Sequence, residues 1–104
     1  MKTIAILGST GSIGTNTLDI VERFPDKFRV AGLTARSNDE RLEDQIRLFK
    51  PRVVAMSDAS AAARLRRRCA TLPVEILAGE EGLIQVASTP EVELVISAIV
   101  GGAG

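Results

Sequence analysis

Five short apolar runs recur along the chain and predict five strands. They read TIAIL, FRVAGLT, RVVAM, VEIL and ELVISAI, at residues 3–7, 28–34, 52–56, 74–77 and 93–99. Continuous apolar runs of this length are typical of strands that are buried on both faces of a sheet.

Four helices are predicted between these strands, because apolar residues there recur at helical spacing. The first covers residues 12–24 and is expected to bury Ile13, Leu18, Val21 and Phe24 on one face. The second begins at a capping box formed by Ser37 and Glu40, buries Leu42, Ile46 and Phe49, and stops at Pro51. Asp58 is expected to cap the third, which runs to about Cys69, and the fourth covers residues 79–87.

The regular alternation of strand and helix predicts an α/β fold. Short connections between such elements favour a Rossmann-like, doubly wound parallel sheet with helices on both faces. The sequence GGAG at residues 101–104 follows the fifth strand where another helix normally starts. We therefore expect a sheet truncated after its fifth strand, and residues 1–104 to be a fragment or the front part of a longer protein.

Composition limits the kinds of chemistry that the chain can perform. Thirteen basic residues balance thirteen acidic ones, so no overall charge attracts nucleic acid or a membrane surface. Cys69 is the single cysteine, which excludes an internal disulfide; we expect it to be a small packing residue in a cytoplasmic protein. The sequence contains no histidine, which excludes Ser-His triads and imidazole metal ligands. We assign no catalytic or metal-ligating residue and expect the chain to act by holding a cofactor.

A glycine-rich turn, LGSTGSIGT, links the first strand to the first helix at residues 7–15. Gly8 is expected to form the tight turn, Gly11 to let a ligand approach the backbone, and Gly14 to let the helix pack on the strand. Free N–H groups at a helix N-terminus bind phosphate, and hydroxyl groups can add hydrogen bonds. The hydroxyls available here belong to Ser9, Thr10 and Ser12. The alternative is a turn that serves only helix packing.

The end of the second strand indicates which nucleotide is bound. NAD-binding proteins place an acidic residue there to hold the ribose hydroxyls, whereas this chain reads Arg36, Ser37 and Asn38. A guanidinium in place of a carboxylate favours the 2′-phosphate of NADP. The alternative is that Arg36 is solvated and Ser37 only caps the next helix.

Two clusters of charged residues, one in the second predicted helix and one in the third, are expected to lie on the protein surface and not to form binding sites. Arg64, Arg66, Arg67 and Arg68 are expected to form the solvated face of the third helix. Asp39, Glu40, Glu43 and Asp44 are expected to be favourable charges in the first turns of the second helix, not a metal site.

Three segments in order carry a family resemblance: LGSTGSIGT at 7–15, LTARSN at 33–38 and SAIVGGAG at 97–104. The chain resembles the N-terminal, cofactor-binding part of the 1-deoxy-D-xylulose 5-phosphate reductoisomerases. The resemblance implies a homodimeric enzyme of non-mevalonate isoprenoid biosynthesis. Such an enzyme isomerises 1-deoxy-D-xylulose 5-phosphate and reduces it with NADPH to 2-C-methyl-D-erythritol 4-phosphate. It also implies Mg or Mn, with ligands outside this chain, so that the chain alone is inactive.

The resemblance also implies the cofactor-binding residues. Thr10, Gly11, Ser12 and Ile13 would hold the cofactor; Arg36, Ser37 and Asn38 would reach the adenosine end; and Ala98, Ile99, Val100 and Gly101 would lie beside it. With Gly8, Ser9 and Gly14 these residues form the predicted site. The family usually has a small residue or His before a basic residue and Asn, whereas the cation here comes first, as Arg36.

Two other functions are considered. One is the nucleotide domain of another NADP-dependent enzyme, such as a semialdehyde dehydrogenase or a dihydrodipicolinate-type reductase. The other is a non-catalytic module that senses nucleotide or redox state.

Overall fold

Five strands and four helices alternate along the chain in the structure, a computed structural model that describes residues 1–98. The strands are β1 (Lys2–Leu7), β2 (Phe28–Ala35), β3 (Val53–Met56), β4 (Glu75–Ala78) and β5 (Leu94–Ser97). The helices are α1 (Ser12–Arg23), α2 (Asp39–Phe49), α3 (Ala59–Arg68) and α4 (Gly79–Ala87). Every predicted element is present, and its bounds within residues 1–98 differ by at most two residues from the prediction; Ile99, the last residue of the predicted fifth strand, lies outside these residues.

The strands form one parallel sheet in the order β4-β3-β2-β1-β5. The first four strands are added successively toward one edge, and the chain then returns to place β5 on the free side of β1. The direction of winding therefore reverses at β1, between β2 and β5. In open α/β sheets ligands bind at such a reversal, outside the carboxyl ends of the strands.

Helices cover both faces of the sheet, as predicted. Ile4 and Ile6 of β1 join one core cluster with apolar side chains of α1, α2 and α3. Ala5, which lies between them in sequence, belongs to a second cluster, to which α4 contributes Val86. Adjacent residues of a strand point to opposite faces, so α4 packs on the face that the other three helices leave open.

The predicted buried face of α1 is only partly correct. Leu18 and Val21 are buried, but the side chains of Ile13 and Phe24 are 52% and 46% exposed. Ile13 lies in the first turn, and Phe24 follows the last helical residue. Both positions are thus at the ends of the helix, and the Phe24 ring lies 5.4 Å from the Lys27 ammonium.

The predicted start of α2 is displaced by one residue. Asn38, not Ser37, is the N-cap, and its side-chain oxygen accepts a hydrogen bond of 3.1 Å from the Arg41 N–H. The capping box of Ser37 and Glu40 is therefore wrong, because Asn38 is an equally favourable cap one position later. The Asp58 cap of α3 is confirmed by a 3.3 Å hydrogen bond from the Ala61 N–H.

None of the helices within residues 1–98 has the length and apolar character needed to cross a membrane. Cys69 is 3% exposed and packs in the larger core cluster, as predicted. Burial, together with the charge of Glu43, raises the pKa of its thiol.

Candidate functional site

The turn after β1 is fixed by hydrogen bonds to the end of β2. Gly8 adopts φ +80°, a left-handed conformation that other residues rarely adopt, and its role in the tight turn is confirmed. Its N–H donates to both the carbonyl oxygen and Oγ1 of Thr34, each at 3.0 Å. The Ser9 N–H donates to the same carbonyl at 2.8 Å.

Ser9 does not face the ligand side of this turn. Its side chain is fully buried, and its hydroxyl donates to Oε1 of Gln45 at 2.7 Å. The Ser9 carbonyl accepts from Nε2 of Gln45 at 2.9 Å. The hydrogen-bonding groups of Ser9 are thus used within the protein, so the expectation that its hydroxyl contacts a phosphate is wrong.

Gln45 was missed by the sequence analysis. It lies on the buried face of α2, beside Leu42 and Ile46, and is 7% exposed. A polar residue among apolar ones at helical spacing must find a buried partner, because an unpaired polar group in a core costs about 1–3 kcal/mol. That signal predicts a partner, although it does not identify Ser9.

Gly14 was predicted to let α1 pack on the first strand; the structure places this close packing on the turn that follows the strand. A Cβ at this position would lie 2.4 Å from the Gly8 carbonyl oxygen and within 2.8 Å of two Ser9 backbone atoms. All three neighbours are backbone atoms that cannot rotate away. The position therefore requires glycine for the protein's own packing.

Gly11 is the N-cap of α1, and the fold does not require glycine there. Its φ of −79° and ψ of 178° suit any residue, and a Cβ would meet only the Gly8 carbonyl oxygen, at 3.7 Å. The space in front of Gly11 is open to solvent. A glycine with room for a side chain is consistent with a backbone that a ligand approaches closely.

The first turn of α1 presents free hydrogen-bond donors. Within residues 1–98, the N–H groups of Ser12, Ile13 and Gly14 have no protein acceptor, and no side chain caps the helix. The first turn contains no acidic residue. The positive end of the helix dipole is therefore available to an anion.

An open cleft of about 410 Å³ connects the N-termini of α1 and α2. It is lined by Thr10, Gly11, Ser12, Thr15, Asn16, Asn38 and Arg41. Four predicted residues therefore meet here, three from the glycine turn and Asn38 from the turn after β2. Arg41 is a cation that the sequence analysis did not consider.

The remaining predicted residues lie at the same edge of the sheet or outside the described region. Arg36 and Ser37 are exposed after β2 but do not line the cleft. Ala98 is buried after β5, and its N–H donates to the Leu7 carbonyl at 2.8 Å. Residues Ile99, Val100 and Gly101 lie outside residues 1–98.

An ion-pair cluster joins α2 to α3. The Asp39 carboxylate contacts Arg64 at 3.2 Å and Arg68 at 2.9 Å. Burial raises the pKa of Asp39, but hydrogen bonds from these arginines outweigh it and hold the pKa below its usual value of 3.8. Glu43 contacts Arg68 at 3.3 Å and Arg47 at 2.9 Å.

The four α3 arginines are exposed, as predicted for a solvated face, but three of them also bind other parts of the chain. Arg64 and Arg68 bind carboxylates of α2, and Arg66 donates to the Ile76 carbonyl at 2.8 Å. Arg67 is exposed and forms no ion pair within the described residues. Residues 1–98 also contain no group of three or more His, Cys, Asp or Glu side chains placed to hold a metal ion.

Comparison with known proteins decides the family. The model of the 1-deoxy-D-xylulose 5-phosphate reductoisomerases matches residues 4–104. The chain belongs to this family. Family membership decides against the semialdehyde dehydrogenase and dihydrodipicolinate-type reductase alternatives.

Curated relatives in the family resemble the chain over its whole length. The reductoisomerase of Anaeromyxobacter sp. (strain K) is 55% identical over 104 residues, which cover 100% of this chain and 26% of that protein. The reductoisomerase of Thermodesulfovibrio yellowstonii is 49% identical over 104 residues, covering 27% of its length. The chain thus spans about a quarter of the length of these relatives.

Solved structures of the family share the fold. A DOX-P reductoisomerase in complex with NADPH, fosmidomycin and magnesium superposes with a TM-score of 0.90 at 38% identity, over 95% of this chain and 24% of that one. The Zymomonas mobilis enzyme in complex with NADPH gives a TM-score of 0.90 at 35% identity, and the superposition covers 99% of this chain and 27% of that one. The predicted Rossmann-like fold is confirmed.

Proposed function

We propose that this chain is the NADPH-binding domain of a 1-deoxy-D-xylulose 5-phosphate reductoisomerase. The observation that carries the proposal is the first turn of α1. The N–H groups of Ser12, Ile13 and Gly14 lack acceptors within residues 1–98, and the N-cap residue Gly11 leaves room beside the backbone. Such a helix end stabilises the negative charge of a pyrophosphate. The family's solved complexes with NADPH support this choice of ligand.

The residues of the cleft fit a dinucleotide phosphate. The pyrophosphate would lie on the α1 N-terminus, with hydroxyl groups of Thr10 and Ser12 as further donors. Asn38 would approach the adenosine ribose, because α2 begins where the ribose lies in dinucleotide-binding folds. Ser9 is excluded from this set, because Thr34 and Gln45 use its hydrogen-bonding groups.

The nicotinamide end is assigned to the reversal of the sheet between β1 and β5. The hydrogen bond from Ala98 to Leu7 fixes the end of β5 beside the glycine turn. We propose, from the family resemblance, that Ile99, Val100 and Gly101 continue along the cofactor, with Arg36 and Ser37 near its adenosine end.

The reaction of the whole enzyme is proposed from the family. Bound NADPH supplies the hydride for reduction of the rearranged sugar phosphate, and this domain holds the cofactor in place. The described residues hold no group suited to magnesium, so we derive no step through the metal. We further propose a cytoplasmic homodimer, and that the 104-residue chain alone does not convert 1-deoxy-D-xylulose 5-phosphate.

Isothermal titration of the chain with NADPH tests the binding function. We expect saturable binding at one site, accompanied by a rise in Tm because the ligand binds only the folded chain. A folded chain that shows neither heat of binding nor a change in Tm would contradict the proposal. Turnover of 1-deoxy-D-xylulose 5-phosphate by the chain, followed as NADPH oxidation, would contradict the absence of activity.

A further inference from the structure

We propose that Arg41 selects NADPH over NADH by binding the 2′-phosphate of the cofactor. This inference rests on the proposed function, since it concerns the same cleft. From the sequence alone, this role is predicted for Arg36, the first residue of the turn after β2.

The position of Arg41 is the first argument. Arg41 lies in the first turn of α2, and its backbone N–H is bound by the Asn38 cap at 3.1 Å. Its side chain lines the cleft together with Gly11 and Ser12 of the α1 N-terminus. A dinucleotide with its pyrophosphate on α1 places its adenosine ribose at the end of β2, and Arg41 lies within one helical turn of that point.

The charge of Arg41 is the second argument. Acidic side chains of α2 lie nearby, but Asp39 is bound by Arg64 and Arg68 of α3, and Glu43 by Arg47 and Arg68. Within residues 1–98, Arg41 itself forms no ion pair. The two least exposed carboxylates of α2, those of Asp39 and Glu43, are thus held by other arginines. Glu40 and Asp44 lie near Arg41 in the sequence but are exposed and form no ion pair with it within these residues, so the guanidinium of Arg41 is available on the cleft. A guanidinium can bind a phosphate through two hydrogen bonds.

Arg36 is a weaker candidate for the same role. Its carbonyl accepts the Asp58 N–H at 3.0 Å, which ties the backbone of this residue to the loop after β3. Its exposed side chain does not line the cleft that Asn38 and Arg41 share. Arg36 and Arg41 lie on either side of Asn38 in the sequence. Replacing each of them separately by glutamine shows how much each contributes to the preference for NADPH.

The test measures dissociation constants of the chain for NADPH and NADH. The variants are Arg41→Gln, Arg36→Gln and Arg41→Lys, with Arg67→Gln as a control for an exposed arginine far from the cleft. We expect Arg41→Gln to weaken NADPH binding about tenfold or more and NADH binding less than about threefold, because only the charge-assisted contact to the 2′-phosphate is lost. Arg41→Lys should retain part of the preference, since it keeps the charge without the two-point geometry.

The outcomes distinguish the inference from the function on which it rests. If wild-type chain binds no NADPH, the proposed function fails first. If it binds NADPH and NADH equally, or if Arg41→Gln weakens both alike, the role of Arg41 is refuted while nucleotide binding stands. A loss of preference in Arg36→Gln but not in Arg41→Gln returns the role to Arg36. Thermal unfolding of each variant identifies misfolding, and Arg41→Lys provides the comparison if Arg41→Gln does not fold.

Discussion

Replacing Gly14 by alanine should destabilise the fold, although alanine is the better helix former. The new Cβ would lie 2.4 Å from the Gly8 carbonyl oxygen and 2.6 Å from the Ser9 Cα, about 1 Å closer than ordinary contact. Overpacking of this kind costs about 3 kcal/mol, and the helix propensity of alanine returns about 1 kcal/mol. We expect a net loss of about 2 kcal/mol, or roughly 10 °C in Tm for a domain of this size.

Urea unfolding followed by circular dichroism measures this loss, and Gly11→Ala is the matched control. Gly11 is also a glycine of the turn, but its Cβ would have only one neighbour, at 3.7 Å. Alanine is a poorer N-cap than glycine, so a loss below about 1 kcal/mol is expected there. The packing argument is refuted if Gly14→Ala is as stable as wild type, or if Gly11→Ala loses as much.

Three further predictions concern buried or paired side chains. Gln45→Met should cost about 1–3 kcal/mol by urea unfolding, because it leaves the Ser9 carbonyl buried without its partner and leaves the Ser9 hydroxyl only the longer, 3.3 Å contact to the Thr34 carbonyl; adding Ser9→Ala should cost less than the sum of the two single losses. The folded-state pKa of Asp39 is lowered, so its carboxylate stabilises the fold above the unfolded-state pKa, and this contribution is lost as the pH falls through the folded-state value. Between about pH 7 and pH 3, wild type should therefore lose more stability than Asp39→Asn; equal losses would contradict the ion-pair assignment. Cys69 should react with a thiol reagent at neutral pH only after unfolding in urea, and rapid labelling of the native chain would contradict its burial.

The fold could be predicted because its signals are local. Apolar runs, a helix cap such as Asp58 and the glycine turn each act within a few residues, and their alternation leaves few possible topologies. The start of α2 was missed because Ser37 and Asn38 are both good caps, and only the tertiary position of the turn selects between them.

The candidate site was less predictable because its side chains are oriented by distant parts of the chain. Ser9 lies in a glycine-rich turn and has a hydroxyl that could bind phosphate. In the structure this hydroxyl is buried and donates a hydrogen bond to Gln45, which lies 36 residues later in the sequence. Arg41 resembles an ordinary helix-surface arginine until the cleft between α1 and α2 is seen. Among the glycines, the sequence indicated three roles, but only the structure separates Gly14, which the fold requires, from Gly11, which it does not.

The central claim is that the open backbone at Gly11 is kept for the phosphates of the cofactor. The most direct test is an NADPH titration of Gly11→Val, whose branched side chain suits the extended φ and ψ at this position and fills the mouth of the cleft. We predict a loss of NADPH affinity of about tenfold or more, while the urea midpoint falls by no more than a cap substitution explains. A folded Gly11→Val chain that binds NADPH as tightly as wild type would contradict the account.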